Sequence, residues 1–171
     1  MQITDLKTLD YPPLTDDLEE AKSHLDKYGM ALIKDVLSQE EVEEIDQRLN
    51  EQFLGEEKYQ VGSKIRGDEG LGIESSEEEK VSRLVWNLIN KGDCFLKLID
   101  HPKILPLIQH MIGERVCLCS MGAHMNGSGN ERMALHQDQW PLVPHPMKFP
   151  FMANVMLSLI HISEPTRHAS I

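Results

Sequence analysis

The 171-residue chain carries a formal net charge of −11, has a pI of about 5.1 and is 40% hydrophobic. This length favours one domain with room for a core. The acidic balance argues against nucleic acid or an anionic membrane surface as the main partner, because both demand a basic patch. No apolar run approaches the roughly 20 residues that span a bilayer, and the N-terminus lacks the basic and apolar segments of a signal peptide. Three cysteines without regular spacing fit a reducing compartment, so we expect a cytoplasmic protein.

The N-terminal part of the chain has the pattern of helices joined by a short strand. Thr15 can cap a helix that runs through Leu25, and Gly29 can end it. The apolar run MALIK, residues 30–34, suits a buried strand. Ser38 and Glu41, three residues apart, form a capping-box pair at the start of a second helix. Behind this pair an apolar stripe recurs at helical spacing before Gly55, where we expect the helix to end: Val42, Ile45, Leu49 and Phe53.

The middle of the chain begins with a glycine-rich, charged stretch, residues 55–80. We predict a long loop here, either a lid over a site or a solvated insertion. A further helix is expected to carry Val81 through Ile89 and to end at Gly92. Two more short helices follow before Gly113, broken at His101-Pro102 because the residue before a proline disfavours the helical conformation.

After Gly113 the sequence becomes typical of strands. Three segments qualify: RVCLCSMGAHMNG (115–127), RMALHQDQW (132–140) and FMANVML (151–157). Cys117 and Cys119 share a face of the first strand, and we interpret them as small buried hydrophobic residues rather than metal ligands. Helices first and strands later predict an α+β architecture.

His136 and Asp138 lie two residues apart in the second predicted strand. Alternate residues of a strand point to the same face, with Cα atoms roughly 6–7 Å apart. A neutral imidazole and a carboxylate placed in this way can converge on one metal ion, whereas Gln137 between them points to the opposite face. The spacing is therefore compatible with a metal site, provided that the segment is a strand and that further ligands exist.

Four segments of the sequence resemble the phytanoyl-CoA dioxygenase family of Fe(II)- and 2-oxoglutarate-dependent oxygenases. YGMALIKDVLSQEEVEEIDQRL (28–49) is similar to the family's opening strand and helix, and HPKILPLIQHMIGERV (101–116) to the helix before its catalytic core. MALHQDQWPL (133–142) matches the His-x-Asp segment, and FPFMANVML (149–157) the strand that follows. The resemblance implies N-terminal helices packed on a double-stranded β-helix, or jelly-roll, core.

The resemblance also implies an activity and a set of site residues. Such enzymes use Fe(II), 2-oxoglutarate and O₂ to hydroxylate an aliphatic C–H of a small organic substrate. By resemblance, His136 and Asp138 are two of the three iron ligands, and Asn126 contacts the 2-oxoglutarate co-substrate. Trp140 is either a wall of the substrate cavity or a packed aromatic residue at the mouth of the barrel.

The family's third iron ligand, a distal histidine, and the arginine that binds 2-oxoglutarate are expected much later in the chain. His161 and Arg167 are rejected for these roles because too few strands intervene to close a barrel. They also lie in LSLIHISEPTR (157–167), which equals, residue for residue, the in-frame translation of a common transposase-based sequencing adapter. We therefore expect residues 1–156 to be the N-terminal part of one oxygenase domain, its jelly roll truncated, and 157–171 to be an adapter-derived artefact. On this interpretation the 171-residue chain is inactive while its parent protein is an oxygenase.

Two other functions stay open at this point. A cupin-like, metal-dependent enzyme that is not an oxygenase would also use clustered histidines. A non-catalytic acidic helical interaction module would instead have helices throughout residues 115–156 and no metal. The substrate itself cannot be inferred from these residues, since one scaffold serves many substrates.

Overall fold

The computed structural model describes residues 11–66, 81–125 and 149–159. In chain order the described elements are β1 (Leu14–Thr15), α1 (Leu18–Tyr28), β2 (Leu32–Ile33), α2 (Gln39–Lys58), β3 (Ser63–Arg66), β4 (Val81–Val85), a 3₁₀ helix (Leu88–Asn90), α3 (Asp93–Leu96), α4 (Leu105–Ile112) and β5 (Ala123–Met125). The mixture of helices and strands agrees with the predicted α+β class. In the described part of the chain, no helix has both the length and the apolar character needed to cross a membrane.

The chain divides into two compact units. Among the described residues, unit 1 contains 11–38, 101–116 and 149–159, and unit 2 contains 39–66, 81–100 and 117–125. Unit 1 therefore holds β1, α1, β2 and α4, whereas unit 2 holds α2, α3, the 3₁₀ helix and the strands β3, β4 and β5.

Helix α1 of unit 1 has a well-defined start and end. The carboxylate of Asp17 accepts hydrogen bonds from the backbone N–H groups of Glu19 and Glu20 at 2.8 and 2.9 Å. The predicted cap, Thr15, is therefore wrong by two residues. Thr15 is instead paired with Ile33 in the parallel β1–β2 ladder, and its hydroxyl donates to the Glu20 carboxylate.

The end of α1 was predicted correctly. Gly29 adopts the left-handed conformation, with φ of 73°, and its N–H donates to the carbonyl of Leu25. The MALIK strand is shorter and less buried than expected, because β2 contains two residues and Leu32 is 44% exposed. The two predicted helices around His101-Pro102 correspond to α3 and α4.

Two polar contacts join α1 and β2 to the α4 region within unit 1. His110 of α4 lies with Nε2 2.9 Å from a carboxylate oxygen of Asp26 on α1. The ammonium of Lys103, which precedes α4, donates to the carbonyl of Asp35, which follows β2. Contacts between elements distant in sequence thus hold this unit together.

Unit 2 is built on the apolar stripe of α2. Its four predicted members, Val42, Ile45, Leu49 and Phe53, are all buried, and the helix begins directly after Ser38 as the capping box predicts. It does not end at Gly55 but continues to Lys58. A lone glycine lowers helix stability without ending the helix when the flanking turns pack against a core.

Further core residues of unit 2 come from α3, which buries Cys94 and Phe95, and from the segment for which we predicted a helix. Residues 81–85 form strand β4 instead, which lies between β3 and β5 in an antiparallel three-stranded sheet. Leu84 and Val85 are 1% and 0% exposed. Strand β3 also places regular structure in the stretch predicted as a loop, of which residues 67–80 lie outside the described part. The helix prediction was wrong because a short apolar run does not distinguish a strand from a helix.

A network of polar side chains links α2 to the turn after the 3₁₀ helix. Lys91 Nζ lies 2.8 Å from Glu56 Oε1, and the two side chains are only 22% and 12% exposed. The Gln52 amide donates to the same carboxylate at 2.9 Å, and Arg48 Nε donates to the Lys91 carbonyl at 2.6 Å. Burial alone would raise the pKa of the Glu56 carboxyl, but the hydrogen bonds from Lys91 and Gln52 and the charge of Lys91 hold it below its ordinary value.

Replacing Gly29 by alanine should destabilise the protein by about 1–2 kcal/mol, because a residue with a β-carbon resists the left-handed conformation. The matched control is Gly55→Ala in the interior of α2. Beyond the local backbone, no atom of the described residues lies within 4 Å of the position that a β-carbon would take at either glycine, so both effects are conformational. Gly55→Ala should stabilise by about 0.5–1 kcal/mol. Urea unfolding followed by circular dichroism measures both, and effects of the same sign would contradict the assignment.

Glu56→Gln should lower the free energy of unfolding by about 1–3 kcal/mol, the range for hydrogen bonds to charged groups. The control is Glu44→Gln, which removes an exposed ion pair with Lys97, whose side chains are 50% and 60% exposed. Exposed pairs contribute little, so this control should unfold close to the wild type. If both variants lowered the free energy of unfolding equally, the Glu56 network would stabilise the protein no more than an exposed ion pair does.

The contribution of Glu56 should depend on pH in a defined direction. Because its folded-state pKa is lowered, the stabilisation is fully present above the ordinary value of 4.5 and is lost as pH falls through the folded value. The difference in unfolding free energy between wild type and Glu56→Gln should therefore be constant at neutral pH and shrink below pH 4.5. Unfolding curves recorded across this range test it, and a difference that grows on acidification would refute it.

Candidate functional site

Strand β5 leads directly into the predicted site segment. It ends at Met125, and Asn126 is the next residue. The strand pairs antiparallel with β4, in a register that sets Leu84 opposite His124. Since β4 is also paired to β3, β5 is the third strand of an antiparallel ladder.

The β4–β5 pair is unusually close at Gly122. A β-carbon there would lie 3.2 Å from the Val85 carbonyl oxygen and 3.5 Å from Cε3 of Trp86. The Trp86 ring also meets the ring of His124 edge to face, with centroids 6.5 Å apart. The Val85 carbonyl oxygen is therefore the close neighbour that disfavours a larger residue at position 122, while the indole lies at ordinary contact distance and is 49% exposed.

The chain turns sharply directly after Trp86. Asn87 adopts the left-handed conformation with φ of 55° and ψ of 50°, and the 3₁₀ helix starts at the next residue. The N–H of Leu88 donates to the carbonyl of Met121 at 3.1 Å. This contact extends the link between the β4 and β5 segments beyond their paired residues.

The residues predicted to form the site lie outside the described part of the chain. These are Asn126, His136, Asp138 and Trp140, together with the rejected His161 and Arg167. Their predicted roles stay predictions. Within the described ranges, no group of three or more histidine, cysteine or acidic side chains could hold a metal ion.

Sequence reasoning missed the contact between the rings of Trp86 and His124. Trp86 and His124 were not singled out, because residues 81–89 were assigned to a helix. The β-compatible run VSRLVW would have indicated a strand that ends in an exposed aromatic residue.

Two expectations for the C-terminal strands are corrected. Cys117 and Cys119 are exposed rather than buried, and they precede β5 instead of lying in it. The segment FMANVML (151–157), for which we predicted a strand, does not form one. A strand requires a hydrogen-bonded neighbour, and the described ladders contain none for this segment.

The comparisons with known proteins decide the family. The family model described as phytanoyl-CoA dioxygenase (PhyH) matches residues 25–165. The chain belongs to this family. The PhyH match includes all four predicted site residues, Asn126, His136, Asp138 and Trp140, and extends beyond Met156. Family membership implies a jelly-roll-like fold, with which the small sheets and helices described above are compatible.

A curated relative agrees with the PhyH assignment. The protein named dioxygenase af480 from Aspergillus fumigatus is 26% identical over 151 residues, which cover 88% of this chain and 46% of that protein. The chain thus spans about half the length of the curated relative that it matches. No solved structure is significantly similar to the chain.

The structure also bears on one of the alternatives. The acidic helical module requires helices throughout residues 115–156. The described residues of that range, 115–125 and 149–156, contain no helix, and 123–125 form β5. That hypothesis is therefore contradicted, in agreement with membership of the PhyH family.

Proposed function

We propose that this chain derives from an Fe(II)- and 2-oxoglutarate-dependent oxygenase that hydroxylates an aliphatic C–H of a small organic substrate, with O₂ as co-substrate. The observation that carries the proposal is the His-x-Asp motif, His136 and Asp138, within the range that matches the PhyH family. The relative named as a dioxygenase supports the same class of reaction.

The donor set of the motif suits ferrous iron. One imidazole and one carboxylate are two members of the two-histidine, one-carboxylate set that non-haem Fe(II) oxygenases use. His136 and Asp138 would hold the metal, which when bound supplies the oxidising chemistry. In this proposal Asn126 would orient 2-oxoglutarate, and Trp140 would line the substrate cavity and help to exclude water.

Two protein ligands alone should bind iron weakly, so we also propose that the site is completed outside residues 1–156. On this view 1–156 is the N-terminal part of one oxygenase domain, and 157–171 derives from adapter sequence. Support comes from the residue-by-residue adapter match of 157–167 and from the 46% coverage of the relative. Resequencing the source DNA across the codon for Met156 tests this part by itself. A native sequence that continues as LSLIHISEPTR would overturn it.

The activity is tested by succinate formation from 2-oxoglutarate with added Fe(II). We expect the uninterrupted gene product to form succinate and the 171-residue chain not to form it. In the uninterrupted protein, His136→Ala or Asp138→Ala should lower turnover more than about 100-fold, beyond the 10–100-fold that loss of an outer-shell partner costs. Gln137→Ala is the matched control, because strand alternation predicts that this side chain points away from the metal, and it should retain turnover.

The outcomes separate the alternatives. Turnover that survives loss of His136 would refute the assigned ligands. A metal-dependent activity without consumption of 2-oxoglutarate would favour a cupin-like enzyme. Succinate formation by the 171-residue chain would show that residues within it complete the site.

A further inference from the structure

The three cysteines of the chain are in two different environments, all within unit 2. Cys94 is 5% exposed and lies in the core. Burial raises the pKa of its thiol, and the negative charge of Glu44 adds to the effect. Cys117 and Cys119 are both exposed, and none of the three forms a disulfide. Two thiols are therefore accessible while the third is shielded.

The spacing of Cys117 and Cys119 lets them act together. Because the two cysteines are two residues apart, their Cα atoms lie no more than about 7 Å from each other, even in a fully extended chain. Metal–thiolate bonds are about 2.3 Å long, so one ion can join two sulfur atoms up to about 4.6 Å apart. Rotation about the Cα–Cβ bonds of two exposed cysteines at this Cα separation allows their sulfur atoms to come within that distance.

The position of Cys117 and Cys119 in the fold leaves their sulfur atoms accessible to an ion. The segment precedes β5 and belongs to no helix or strand of the described structure. Cys117 Sγ makes one weak contact, at 3.7 Å, to the carbonyl oxygen of Leu118. A bound ion would consequently displace no strong interaction.

We propose that Cys117 and Cys119 form a dithiol site for a thiophilic ion of the soft-metal or trivalent-arsenic class. Soft thiolate ligands select such ions over the harder cations that carboxylates prefer. Its sulfur donors differ from the nitrogen and oxygen donors of the iron site proposed at His136 and Asp138. Its existence does not depend on the oxygenase activity.

Phenylarsine oxide is the probe for this site, because the bound product needs two thiols. Two As–S bonds form and the As–O double bond breaks, while both thiol protons leave with the oxygen as one molecule of water. Arsenic stays trivalent, so no oxidant or reductant is required. A single thiol gives a weaker adduct that excess glutathione removes.

The experiment is intact-mass analysis of the folded 171-residue chain with phenylarsine oxide in excess glutathione. We expect one adduct per chain, lost on addition of 2,3-dimercaptopropanol. Cys117→Ser and Cys119→Ser should each weaken binding at least about tenfold, the loss of roughly 1.4 kcal/mol of chelation. Cys94→Ser is the matched control and should keep the adduct.

Alkylation with iodoacetamide provides a second measurement that needs no variant. In the wild-type chain Cys117 and Cys119 should react well before Cys94, and prior treatment with phenylarsine oxide should protect both together. An adduct that survives either Cys117→Ser or Cys119→Ser would overturn the proposal. So would an adduct that is lost in Cys94→Ser, or protection of one thiol without the other.

Discussion

The pairing requirement of strand β4 is the constraint on which unit 2 depends. Backbone N–H and C=O groups that leave water must find partners, and β4 satisfies its own through β3 on one side and β5 on the other. Its side chains Leu84 and Val85 are among the most buried of the described residues. The same ladder holds β5 in place, so the position of Ala123–Met125 follows from pairing with residues about 40 positions earlier in the chain.

Local signals in the sequence predicted the buried face of α2 and the end of α1. The stripe of α2 and the left-handed Gly29 are determined by residues within a few positions of each other, and the structure confirms both. Strands depend on partners far away in the chain. Val81, Leu84, Val85 and Leu88 have the spacing of a helix face, and nothing near them in sequence shows that β3 and β5 pair with the segment. The error at β4 therefore has a physical cause, and the same cause explains the two-residue β2.

For the candidate site, too, some features could be inferred from the sequence and others could not. Its two donors were inferred from residue types alone, an imidazole and a carboxylate two positions apart. Their role stays a prediction, because His136 and Asp138 lie outside the described residues. The contact of Trp86 with Gly122 and His124 could not be inferred, since it depends on the register of β4 and β5. The exposure of Cys117 and Cys119 likewise depends on which neighbours cover the segment, and alternation along a strand does not reveal it.

Among residues 11–66, 81–125 and 149–159, three residues with a β-carbon adopt the left-handed conformation: Asp35, Gln60 and Asn87, with φ between 50° and 55°. Aspartate and asparagine tolerate this conformation comparatively well, whereas a glutamine has no such local compensation. Gln60 joins α2 to β3, and its side chain is exposed, so little packing would be lost by trimming it. The loop at Gln60 is consequently a suitable position for protein engineering. Glycine there would remove the backbone strain and give a more stable protein for crystallisation.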